Sequence, residues 1–136
     1  MGLGRKMSPE IAERYAADKE LAAGLQDRLA EAEEAETRLR TAQAARRAFD
    51  EVRELAAGYE RALQTAILAA DAAERVAMGT KTYEHGDAKQ RRMAQIAARR
   101  ARAKPSVRPF TDEADRLRSL REAHKLNFRT SRSLAG

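Results

Sequence analysis

From Pro9 to Met78 the chain offers seventy residues without an internal proline, broken only by Gly24 and Gly58. No other feature restricts the fold so much. Each of the two glycines costs about 1 kcal/mol inside a helix, which weakens a helix without stopping it. Ser8-Pro9-Glu10 reads as its start: a hydroxyl to cap free amides, a proline suited to the first helical position and an acid at the positive end of the dipole. One continuous helix of this length would run about 105 Å at 1.5 Å per residue. A compact domain cannot hold such an element, so the segment is a rod or a hairpin.

Apolar spacing bears on that choice. Ile11, Tyr15, Ala22, Leu25, Leu29, Ala32 and Leu39 form one heptad-like stripe, which Asp18 interrupts. Ala42, Ala45, Phe49, Val52, Ala56, Tyr59, Leu63, Ala66, Ala70, Ala73 and Ala77 form a second, cleaner one. The two registers differ. The steps from Leu39 to Ala42 to Ala45 are three and three, a stammer-like skip. That skip is either an overwound stretch of one coil or a turn near Arg38 to Ala45. No glycine, proline or asparagine marks a turn there, so a continuous or merely kinked helix is expected. Phe49, Val52, Tyr59 and Leu63 are its expected self-association seam.

Beyond Met78 the character changes. Gly79 suits a helix C-terminus. Thr80 to Glu84 is the one strand-like stretch, and His85-Gly86-Asp87 has turn chemistry, so residues 79–87 read as a loop or tiny hairpin. A helix over 88–104 follows. Residues 105–110, with Pro105 and Pro109, read as a stiff extended linker. Thr111 is the expected cap of a further helix over 111–126, and residues 127–136 read as an extended basic tail. The expected class is all-α: a long coiled-coil-like helix, kinked or hairpinned near 39–45, then two shorter helices and the tail.

Charge divides at the same boundary. Residues 1–78 carry 12 Lys+Arg against 15 Asp+Glu, a net −3, and residues 79–136 carry 15 against 6, a net +9, within an overall +6. The two halves should meet different partners, or the basic half of one copy the acidic half of another. Lys89, Arg91, Arg92, Arg99, Arg100, Arg102 and Lys104 surround a thin stripe of Met93, Ile96 and Ala97, with no acid between them. This is a field for phosphates or for an acidic protein surface. The bland alternative is a solvated face. No aromatic stacking platform accompanies the cations, and 105–110 is too long and proline-rich for a helix-turn-helix, which shifts weight from nucleic acid to protein. Phe128, Arg129 and Arg132 suggest a docking peptide, with a disordered end as the alternative.

Catalytic and cofactor chemistry find little footing. There is no cysteine, no His-x-x-x-His pair and no glycine-rich phosphate loop. Glu84-His85-Gly86-Asp87 reads as a turn rather than a metal site, and Glu31, Glu33, Glu34 and Glu36 as a solvated helix face. No catalytic residue, metal or cofactor is expected. Met1 to Met7 has no apolar core region, so no secretory signal is expected. No apolar run approaches the roughly 18 residues of a membrane span. A cytoplasmic or virion location is the expectation, with no membrane partner.

Met78-Gly79, Thr80-Lys-Thr-Tyr83 and the turn at His85-Gly86-Asp87, lying between two helices, resemble the small head–tail joining proteins of tailed phages. The resemblance covers about residues 60–100 and departs after Asp87, where that family continues with a second strand. It implies a structural virion protein that bridges portal, capsid or tail components without catalysis. Phage scaffolding proteins are similar in another way, with a coil in front and a basic helical module behind. The expected function is therefore a structural or assembly protein gripping an acidic protein surface. A nucleic-acid-binding helical module is the alternative.

Overall fold

A computed structural model describes the backbone of residues 7–135 and the side chains of residues 7–128. Five α-helices form it: α1 (Pro9–Ala23), α2 (Leu25–Ala44), α3 (Phe49–Met78), α4 (Ala88–Arg102) and α5 (Arg108–Ala135). A 3-10 turn over Thr80–Thr82 joins α3 to the segment before α4. Among the described residues there is no strand, so residues 79–87 hold a turn and not a hairpin.

Residues 9–78 are neither one helix nor a kinked one. Ser8 starts α1 as its composition requires, its hydroxyl accepting from the Ile11 amide at 3.2 Å. At Gly24 the amide turns back to the Leu21 carbonyl, 3.1 Å away, and α1 gives way to α2. After Ala44 the chain reverses. The Arg46 amide donates to Gln43 and the Arg47 amide to Ala42, both orphan carbonyls of α2, while Arg46 takes a left-handed φ of 54°. This is a Schellman termination with arginine in the seat that glycine normally fills. α3 then begins at Phe49 behind Ala48, which lends no side-chain cap.

α3 is the central helix, with α1, α2 and α5 laid along it. The core joins Ala32 and Leu39 of α2, Ala56, Tyr59, Leu63, Ala66 and Ala70 of α3, and Ala114 and Leu117 of α5. Alanine on α3 lets neighbouring helix backbones approach closely, and that packing replaces the contact expected from a second chain. The proposed self-association seam is corrected accordingly. Leu63 is 1% exposed and Tyr59 is buried, both within this intramolecular core; Val52 is half-buried against it. Phe49 alone stays outside, 52% exposed.

The C-terminal third also departs from expectation. Residues 105–110 are not an extended linker. The Val107 amide closes on the Lys104 carbonyl at 3.0 Å, Val107 is buried, and α5 starts at Arg108 with Pro109 in its first turn. A proline there loses nothing, because first-turn amides have no helical acceptor. Thr111 therefore lies inside α5, where its hydroxyl donates to the buried Glu74 carboxylate at 2.6 Å instead of capping a helix. α5 continues through Leu126 to Ala135, so the backbone of 127–135 is helical. Phe128 packs against the core. The side chains of Arg129 and Arg132 lie outside the described residues.

Candidate partner-binding face

α4 is set in place from its start. The Asp87 carboxylate accepts from the Gln90 amide and the Gln90 side chain accepts from the Asp87 amide, each at 2.9 Å. This reciprocal capping box settles two orphan amides. Glu84 accepts from Gln95 at 2.8 Å, which ties the preceding loop to the middle of the helix.

The rotation of α4 about its axis is the central observation. Its inner face is alanine: Ala94 and Ala101 are buried, Ala97 and Ala98 half-buried. Met93 and Ile96 point outward, 58% and 42% exposed. The stripe of Met93, Ile96 and Ala97 is thus not the packing face. At 100° per residue, Lys89, Arg92, Ile96, Arg99 and Arg100 fall within about 100° of arc, with Met93 at its edge. All six are exposed.

The seven basic residues read from sequence consequently divide. Lys89, Arg92, Arg99 and Arg100 share the outer face with Met93 and Ile96, and Lys104 stands exposed just past the helix end. Arg91 donates back to the Gly86 carbonyl at 2.8 Å. Arg102 lies 3.8 Å from the Glu74 carboxylate. Arg99 and Arg100, in the last turn, complement the negative end of the helix dipole, but helix stability does not call for Lys89 or Arg92. Lys89 sits in the first turn, against the positive end of the dipole, and Lys89 and Arg92 are like charges three apart.

Other polar clusters have structural partners. In the loop, His85 Nδ1 lies 3.0 Å from the Tyr83 carbonyl, Asp87 caps α4 and Glu84 holds Gln95, so the three candidate ligands face different ways. Among the described residues no three His, Asp or Glu side chains converge on a metal-sized site. A cleft of about 230 Å³ lies between α1, the 3-10 turn and α4. Its cations are engaged: Arg75 with Asp18, Arg14 with the Glu84 carbonyl, Arg102 with Glu74.

Two clusters escaped the sequence reading. Asp18, noted only as an interruption, is buried and accepts two hydrogen bonds from Arg75 at 2.9 Å and one from the Tyr83 hydroxyl at 2.5 Å. The Arg75 guanidinium holds the Asp18 carboxyl below its ordinary 3.8. Burial, then the bond to Asp18, pushes the Tyr83 phenol well up. Arg14 stands over the Tyr83 ring, 5.1 Å from its centroid. The second cluster is on the α3–α5 face, where His124 packs edge-on to Tyr59 at 4.8 Å and its Nε2 lies 2.9 Å from the Ala56 carbonyl. A carbonyl only accepts, so Nε2 carries the proton. Tyr59 donates to Glu36 at 3.0 Å, and burial first, then that bond, pushes its phenol up to about 12.

No family model, curated protein or solved structure matches the chain. No helix among the described residues is long and apolar enough to cross a membrane.

Proposed function

We propose that this chain is a non-catalytic assembly protein that docks an acidic protein surface through the outer face of α4. One observation carries the reading: Met93 and Ile96 lie exposed among Lys89, Arg92, Arg99 and Arg100 on a helix that packs inward by alanine. A phosphate backbone recruits cations and has no use for apolar side chains beside them. A protein interface has an apolar centre and a charged rim that steers the encounter. A virion component of the head–tail or scaffolding kind, the class implied by the resemblance over about residues 60–100, is a setting in which such a contact would serve.

The apolar pair supplies the test. Probes are an acidic amphipathic peptide carrying leucine anchors, the same peptide with the leucines replaced by serine, and duplex DNA, each followed by fluorescence anisotropy. The anchored peptide binds best, and M93S/I96S weakens it about tenfold, as loss of two half-buried apolar contacts would. R92Q/R99Q weakens both peptides. Tighter retention of DNA, unmoved by M93S/I96S and falling steeply with salt, would instead establish the nucleic-acid-binding alternative.

A further inference from the structure

α1 is the chemical counterpart of α4. Its inner face holds Ile11 and Asp18, both buried, with Tyr15 and Ala22 half-buried. Its outer face, opposite, carries Glu10, Glu13, Ala17 and Glu20, all exposed, with Leu21 beside them at 48% exposure. Among the described residues no ion pair uses these three glutamates, and none joins α1 to the outer cations of α4. Each face is unmatched among the described residues.

The spacings agree. Glu10, Glu13, Ala17 and Glu20 follow one another at three, four and three residues; so do Lys89, Arg92, Ile96 and Arg99. Two such helices laid parallel bring each acid opposite a base and the small Ala17 opposite the large Ile96. Leu21 and Met93 flank that seam as exposed apolar side chains.

We infer that the acidic surface taken by α4 is the outer face of α1 on a second copy of this chain. The inference rests on the reading of α4 as a docking face and names its partner. The contact joins different faces of two copies, so every added copy leaves one acidic and one basic face open. Such heterologous contacts close into rings or continue as filaments. A net charge of +6 opposes association in arbitrary orientations, which leaves the oriented pairing of these two faces as the favourable one.

Sedimentation velocity across a concentration series tests this. Mean mass should grow with concentration at about 50 mM salt and return to the monomer at about 500 mM, where the Debye length has shortened several-fold. R92E/R99E and E13R/E20R should each stay monomeric at low salt while keeping native helicity by circular dichroism. An equimolar mixture of the two should assemble again, since each then supplies the face the other lacks, and so should the single chain carrying all four changes. R53E/R61E, the same change in net charge on exposed positions of α3, should assemble like the parent. A parent chain that stays monomeric at low salt overturns the inference, as does a mixture that fails to assemble or an R53E/R61E chain that dissociates. If the parent is monomeric yet binds the anchored acidic peptide, the self-partner fails and the docking function stands. Loss of both overturns both.

Discussion

Asp18 is a carboxylate inside an apolar stripe, and it is tolerable there only because its partners come from far along the chain, Arg75 57 residues on and Tyr83 65 residues on. Those contacts fasten α1 to the end of α3 and to the loop before α4. The sign of the pH dependence follows. A carboxyl whose folded pKa lies below its unfolded value contributes stability above the unfolded value and loses it as pH falls through the folded one. Asp18, ordinarily at 3.8 and lowered by Arg75, should stabilise the chain at neutral pH and progressively fail below about pH 4. Asp18→Asn should cost about 2 kcal/mol at pH 7, less than a fully buried pair because Arg75 keeps partial access to water. Urea titrations at several pH values should show the two proteins converging as pH falls; a difference that holds unchanged into acid would remove Asp18 from this role. At the alkaline end the sign reverses. Tyr59, pushed up to about 12, holds its contribution below about pH 10 and loses it as pH rises through 12.

At the scale of elements, the sequence was legible where local chemistry decides and illegible where packing does. Ser8 and Pro9 announced the start of α1, and Gly79, with φ 95°, ends α3 where a glycine was expected to end it. The reversal after α2 left no such trace, because Arg46 occupies a left-handed seat that ordinarily advertises itself with glycine. A non-glycine residue there costs on the order of 1 kcal/mol. Arg46→Gly should therefore stabilise the chain, by less than that amount because of the extra freedom it gives the unfolded state. Ala48→Ser, which gives α3 the side-chain cap it lacks, should add about 1 kcal/mol more. Denaturation midpoints decide, and a destabilised R46G would contradict the termination described. The facing of α4 was hidden for a different reason. Its alanine stripe and its Met93–Ile96 stripe are both spaced for a helix contact, and hydrophobicity favours the second. α4 lies chiefly against the 3-10 turn and buries Ala94 and Ala101, leaving the larger side chains outside as the candidate site.

At the scale of the molecule, the decisive question is where the apolar surface of residues 9–78 finds its cover. In a coil between chains, Tyr59 and Leu63 would meet another copy, and unfolding would shift with protein concentration because association is then part of folding. Here both are covered within one chain by α2 and α5, with Leu117 1% exposed from the opposite side. Folding consequently does not depend on the proposed association. At about 500 mM salt, where the proposed charged contacts between α1 and α4 of different copies would be screened, the melting temperature should be the same across a hundredfold range of concentration. Leu117→Ala should lower stability by about 3 kcal/mol, the usual scale for opening a cavity at a buried leucine, and should do so without concentration dependence. A melting temperature that climbs with concentration in high salt would mean that the core is completed by a second chain. An invariant one leaves the exposed faces of α1 and α4 free to form and release contacts without unfolding either partner, as reversible assembly requires.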